Sequence, residues 1–269
     1  MNKKEEGVVI MNFQQIRNAT VTITYAGKKF LIDPWLQEKG AFPPVPAESQ
    51  ERNPTVALPM SIDEIIKNVD AVIVTHIHPD HFDEVAAKVI PKDTKMFAQN
   101  KEEAEAFKGF GFKDVEILKE SGTLFGDIKL TKTNGIHAGD EEIVRYFTQF
   151  NVTCNASGVV FSNRNEKTVY IAGDTIWCDA VKEAIDTHKP DIIILNAGGA
   201  QFVTGGHLIM NANDVYEVYK AAPQAKIIAS HMEAVNHARV TRRALKQFVE
   251  EKGMSSNVLI PVDGEAYTF

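Results

Sequence analysis

Residues 70–81 read DAVIVTHIHPDH, and this stretch decides the architecture. DAVIVT (70–75) is a continuous apolar run, the pattern of a strand buried on both faces. His76, His78, Asp80 and His81 follow directly at its end. His76 and His78 are two apart, so in extended backbone both imidazoles leave on the same side. Pro79 then turns the chain, and Asp80 opens the next helix. Packing does not call for ligand-type side chains this dense, whereas imidazole and carboxylate together suit zinc, iron or manganese. Asp80 also has a reading without metal: with Asp83 three residues on, it stands where a helix N-cap would.

Outward from this motif, TVTITY (20–25) and KFLID (29–33) alternate around a turn at Ala26-Gly27-Lys28 and read as a hairpin ending at Asp33-Pro34. Residues 34–60 hold Pro34, Pro43, Pro44, Pro46, Pro54 and Pro59, too many for a helix or central strand. With Trp35, Phe42 and Met60 as apolar anchors, this segment reads either as an active-site flap or as passive packing. Helix and strand then alternate: helix 61–68 with Ser61 and Glu64 spaced as a capping box, strand 70–75, helix 82–90, strand 95–99 and helix 101–108 capped by Asn100. Strands follow near 114–118, 127–134, 157–163 and 168–173. The last third reads as helix 179–187, strand 191–195, helix 212–221, strand 226–230, helix 239–252 and a closing strand near 257–261. With no repeat or composition break, residues 1–269 are expected to form one domain. Strand-rich segments followed by helix–strand alternation, twice over, predict an α/β fold of two packed sheets with helices outside.

The 269 residues carry a formal net charge of -7, unlike the basic footprint of a nucleic-acid binder. Two cysteines, Cys154 and Cys178, give no disulfide framework and fit a reducing compartment. MNKKEEGVVIMNF lacks the apolar core of a secretory signal, and no apolar run reaches membrane-spanning length. The expectation is a cytoplasmic protein without a membrane span or a nucleic-acid partner. A homo-oligomer is compatible with everything read so far.

H-x-H-x-D-H after an apolar strand resembles the signature of the metallo-β-lactamase superfamily at every fixed position. LIDP (31–34) is similar to the hairpin end of its branch containing ascorbate-6-phosphate lactonase. The resemblance implies a four-layer αββα sandwich of two mixed β-sheets flanked by helices. It also implies later ligands at strand ends, and this chain offers them in order: His137 in NGIHAG, Asp174 in AGDT and His231 in ASHMEA. Carried over, His76, His78 and His137 would hold one ion and Asp80, His81 and His231 another, with Asp174 bridging two divalent metals, zinc first, manganese or iron as alternatives. Each later residue has a plain reading as well: a turn histidine, a Gly-Asp-Thr turn, a helix-entry residue.

Two such ions sharing a water would lower its pKa toward neutrality. Asp80 and Asp174 are therefore the candidate catalytic carboxylates, Asp80 as a carrier of the proton to the leaving group. Asp33 is a candidate acceptor for the second N–H of a ligating histidine, or simply a strand-ending aspartate. The expected reaction is hydrolysis of a small-molecule ester, lactone or thioester, with or without a phosphate or other anionic group, and with a phosphodiester substrate or di-iron redox chemistry as alternatives. The segment 196–214, NAGGAQFVTGGHLIMNAND, reads as a substrate loop or as a glycine-rich connection, with a helix N-terminus near Asn211 as an anion site in the first case. His207, His237 and Trp35 are the candidate substrate contacts. His207 and His237 read equally as an exposed histidine and a helix cap, while Arg145 and Lys28 are weaker candidates for anion contacts.

Overall fold

The structure is a computed structural model and describes residues 11–137, 139–149 and 153–269. Two seven-stranded sheets face one another. In the first, β1 (Asn12–Arg17), β2 (Thr20–Tyr25) and β3 (Lys28–Ile32) form an antiparallel meander, and β14 (Ala266–Thr268) pairs with the free edge of β1. β4 (Ala71–Ile73), β5 (Lys95–Ala98) and β6 (Val115–Ile117) extend it in parallel from β3. The second sheet repeats the plan. β7 (Thr123–Phe125), β8 (Ile128–Asn134), β9 (Ser157–Ser162) and β10 (Val169–Ile171) run antiparallel. β11 (Ile192–Asn196), β12 (Lys226–Ser230) and β13 (Val258–Leu259) continue in parallel.

Three apolar clusters define four layers. The middle one lies between the sheets and joins Ile23, Phe30 and Phe97 to Phe161 and Ile194. Phe30 and Phe161 meet edge to face at 5.0 Å between centroids. Each such fully buried side chain contributes about 2–3 kcal/mol of transfer free energy. On the outside of the first sheet pack α1 (Ile62–Ile66), α2 (Glu84–Val89) and α3 (Lys101–Gly109), through Ile65, Ala86 and Phe107. On the outside of the second pack α5 (Asp179–His188), α6 (Ala212–Ala221) and α7 (Arg242–Glu251), through Val181, Val215 and Leu245. Continuous apolar runs such as IIILN in β11 are buried on both faces, as the parallel strands of a sandwiched sheet must be.

Local signals place most elements. Ser61 and Glu64 close the capping box of α1, and Asn100 accepts from Glu103 N at the start of α3. Asp83, not Asp80, caps α2, accepting from Ala86 N at 2.6 Å. Asp80 is thereby released from the capping role that its spacing allowed. Four elements escape the sequence reading. β1 carries Gln14, Gln15 and Arg17 among its apolar residues, which masks the alternation. β7 and β14 are three residues each. α4 (Glu141–Gln149) is an amphipathic helix between β8 and β9, inside a stretch that reads as strand-rich. Among the described residues, no helix is long and apolar enough to cross a membrane.

Candidate metal centre

The chain reverses at one end of both sheets, and there the ligand-type side chains meet. Asp33 follows β3, His76 and His78 follow β4, His137 follows β8, Asp174 follows β10 and His231 follows β12. The first sheet supplies Asp33, His76, His78, Asp80 and His81, and the second His137, Asp174 and His231. The backbone is bent to do so. Asp33 and His231 adopt φ of 47° and 56°, a region that non-glycine residues occupy at some cost and mostly where function demands it. Gly173 has φ 70°, and a Cβ there would collide with the Ser157 carbonyl, so glycine is required for Asp174 to turn inward.

Asp174 sits at the centre. Its Oδ2 lies 3.2 Å from His81 Nε2, 3.7 Å from His76 Nε2 and 3.8 Å from His137 Nε2, and its Oδ1 lies 3.8 Å from His231 Nε2. Asp80 Oδ2 approaches His231 Nε2 at 3.2 Å and His81 Nε2 at 3.9 Å. Three overlapping sets have donor atoms within 4.8 Å of one another: His76, His78 and His137; His76, His81 and Asp174; Asp80, His81 and His231. His76 Nε2 and His81 Nε2 are buried with no hydrogen-bond partner among the described residues. Unsatisfied buried nitrogens aimed at a carboxylate are costly in a protein alone and are what a cation would satisfy.

The outward nitrogens of His78, His137 and His81 are held. His78 Nε2 bonds the Thr153 carbonyl at 2.8 Å, leaving Nδ1 for the cluster, and His137 Nδ1 bonds the Leu208 carbonyl at 3.0 Å, leaving Nε2. His81 Nδ1 lies 3.0 Å from Asp33 Oδ2, and Asp33 also accepts from Thr75 N and Thr75 Oγ1. Asp33 therefore touches the cluster from behind, as an orienting carboxylate does.

Charge follows from burial and neighbours. Burial pushes His76 well below an ordinary imidazole, with His81 adding to it, and drives His78 down to about 4. His137 is also lowered by burial. Burial alone would raise the Asp80 and Asp174 carboxyls, but His81 and His231 hold both well below the usual carboxylate range. His81 is the exception among the imidazoles: burial would lower it, yet Asp174, Asp33 and Asp80 together raise it. Ionised carboxylates beside mostly neutral imidazoles form a donor set suited to a divalent cation.

The cluster opens onto a cavity of about 340 Å³. Its walls come from four segments: Trp35, Phe42–Pro46 and Asn53; Tyr146 and Phe147 of α4; Ala200, Phe202, Leu208 and Ile209; and Val235 with His237. Of the residues singled out in the sequence, Trp35 and His237 both line it. His237 is pushed down to about 4 by burial, and its Nδ1 has no hydrogen-bond partner among the described residues. His207 is not part of the lining. Its Nε2 bonds Asp214 at 2.8 Å, inside the capping box that Asn211 and Asp214 close at the start of α6. The N-terminus of α6 is thus satisfied by the protein's own side chains rather than offered to an anion. The glycines of 196–214 also serve packing: a Cβ on Gly198 would strike the His231 carbonyl. Lys28 pairs with Asp70, and the Arg145 guanidinium reaches the Glu141 carbonyl, both outside this cavity.

Sequence reasoning missed two asparagines. Asn196 donates to Asp174 Oδ1 at 2.7 Å from the end of β11. Asn18 reaches Asp80 Oδ2 and His231 Nε2, both at 3.2 Å, from the turn between β1 and β2. A turn asparagine at φ 55° looks sufficient for the hairpin, so nothing local points to the centre.

The fold and its seven converging histidines and aspartates define a metal-dependent hydrolase of the metallo-β-lactamase kind. The family model for the beta-lactamase superfamily domain matches residues 28–232, and the chain belongs to that superfamily. It is 52% identical over 261 residues to the UPF0173 protein YddR of Bacillus subtilis, covering 96% of this chain and 100% of that one. Among solved structures it resembles the isothiocyanate hydrolase from Delia radicum gut bacteria at 41% identity and TM-score 0.91, over 96% of this chain and 99% of the other. A possible metal-dependent hydrolase from Veillonella parvula is similar at 38% identity and TM-score 0.92, over 97% and 100%.

Proposed function

We propose that the centre holds two divalent ions, zinc first and manganese or iron as alternatives, and hydrolyses a small neutral electrophile with an apolar tail. His76, His78 and His137 would take one ion, Asp80, His81 and His231 the other, with Asp174 between them, which matches the overlapping donor sets. Bound there, the ions would supply Lewis acidity and lower the pKa of a coordinated water. Asp80 keeps 22% of its side chain exposed against 5% for Asp174, which supports Asp80 as the carboxylate that would take a proton and return it to the leaving atom. Asn196 fixes Asp174, Asn18 fixes Asp80, and the Thr153 and Leu208 carbonyls fix the tautomers of His78 and His137. Neither sheet carries the whole set, which supports one catalytic domain.

The observation that carries the substrate class is the cavity wall. Beyond the cluster it is built of Trp, Phe, Tyr, Pro and aliphatic side chains, with Asn53 and His237 as its polar members and no Lys or Arg among its described residues. A phosphorylated or otherwise anionic substrate, or a phosphodiester, would find no counter-charge except the metals. The similar isothiocyanate hydrolase supports a definite candidate, because R–N=C=S is neutral, electrophilic at carbon and carries an apolar tail. Water adds to that carbon to give R–NH–C(=O)–SH, which releases R–NH2 and COS. Uncharged esters, lactones and thioesters present the same kind of carbon and are the second reading. Zinc-reconstituted protein offered phenethyl isothiocyanate, phenyl acetate, a γ-lactone and bis(p-nitrophenyl) phosphate should release phenethylamine or cleave the other carbon electrophiles. Turnover of the phosphodiester alone, or oxygen consumption by an iron form without hydrolysis, would overturn the proposal.

A further inference from the structure

The segment 34–60 contributes Trp35, Phe42–Pro46 and Asn53 to the cavity wall, and Asn236 bonds the loop that carries most of them. Phe42 and Asn53 pair across an antiparallel bridge, so residues 42–53 form a closed loop whose Phe42–Pro46 arm lines the site. Asn236 fills that loop. Its Nδ2 donates to the Val45 carbonyl at 2.9 Å and the Ser49 carbonyl at 2.7 Å. Its Oδ1 accepts from Val45 N at 3.2 Å and from Asn53 Nδ2 at 2.9 Å, and its backbone N donates to Asn53 Oδ1 at 2.7 Å. Both amide hydrogens and both lone pairs are used, in the one orientation that matches donors to acceptors. Asn236 is 7% exposed and lies in the same short segment as His231 and His237. Val45 in turn packs against the apolar cluster that contains Phe147, Phe202, Leu208 and Ile209, which also line the cavity.

We infer that Asn236 is a specificity-determining positioning residue: it clips the Phe42–Pro46 wall to the segment carrying His231 and His237 and so sets which apolar tails the site accepts. The inference rests on reading the cavity as the substrate pocket. Asn236 touches no reacting atom in this scheme and acts through the wall.

Asn236→Asp is the sharpest test, because it keeps the shape but faces two carbonyls with an oxygen in place of their donor. Asn236→Ala removes the amide altogether. A second strap of the same segment, Thr55 Oγ1 donating to the Glu233 carbonyl at 2.7 Å, lies outside the cavity lining, so Thr55→Val is the control for simple loss of stability. With zinc-loaded enzyme and methyl, butyl and phenethyl isothiocyanate, both Asn236 variants should raise KM for the phenethyl substrate about tenfold, compress the differences among tails and leave kcat and zinc content near wild type. Thr55→Val should lower the unfolding temperature without that split. Binding of 2-phenylethanol to the metal-free protein, read by tryptophan fluorescence, separates this inference from the reaction itself. Weaker binding in the variants than in wild type supports the clip even if no isothiocyanate is hydrolysed. Equal binding and equal tail selectivity in wild type and Asn236→Asp, or no binding to wild type at all, overturns it.

Discussion

Replacing Asp33 by Asn tests whether the centre is oriented from behind. The carboxylate is 1% exposed and accepts Thr75 N at 2.7 Å and Thr75 Oγ1 at 2.8 Å, with His81 Nδ1 at 3.0 Å. Thr75 Oγ1 lies 3.3 Å from His76 Nδ1, so one aspartate reaches two candidate ligands. Asparagine tolerates the φ of 47° at this position, which confines the change to charge and hydrogen bonding. One oxygen becomes an NH2 group facing donors, so at least one charge-assisted bond is lost and a buried donor is left unmet, at about 2–3 kcal/mol. In a chain of this size that corresponds to roughly 5–10 °C in Tm. Loss of an orienting carboxylate lowers metal affinity by about 10–100-fold. Competition against a chromophoric chelator measures the affinity, and thermal unfolding of metal-free protein measures the stability. Wild-type zinc affinity and wild-type Tm in Asp33→Asn would refute the orienting role.

Gly173→Ala forces a side chain into φ 70° against the Ser157 carbonyl and should destabilise by about 2 kcal/mol or more in urea unfolding, with weakened metal binding because Asp174 is adjacent. His207→Gln should change turnover less than about twofold and stability by less than about 1 kcal/mol, because its ion pair with Asp214 is a third exposed and off the cavity. Metal-free protein should lose thermal stability as pH falls from 6.5 to about 4. His78 and His237 are pushed down to about 4 when folded, so in that window the unfolded chain binds more protons and stability rises with pH. His76 and His137, lowered in the same direction, add to the slope and His81 opposes it. A flat Tm across that range would contradict the buried, neutral state of these imidazoles.

The layered fold was legible because parallel strands buried on both faces leave unbroken apolar runs, and helix caps such as Ser61 and Asn100 leave local marks. The positions of His76, His78, Asp80 and His81 were legible for a related reason: four side chains in one short loop stay together however the rest folds. His137, Asp174 and His231 needed the resemblance, since their isolated motifs read as a turn histidine, a Gly-Asp-Thr turn and a helix-entry residue. What stayed hidden depends on partners distant in sequence. Gln15 and Arg17 are buried in β1 because Gln15 Oε1 accepts from Ser230 Oγ and Arg17 bonds the Trp35 and Gln37 carbonyls. Asn53 and Asn236 lie 183 residues apart, and each looks like a loop residue until the other is seen. His207 lies off the cavity lining, its partner Asp214 being supplied by the capping box of α6.

The central claim, hydrolysis that depends on metal held by this cluster, is tested most directly by elemental analysis of purified protein alongside turnover of phenethyl isothiocyanate and phenyl acetate, before and after chelation. Two divalent ions per chain, activity lost on chelation and restored by zinc, and metal lost in Asp174→Ala are the predicted results. Full activity in protein free of transition metal would contradict it.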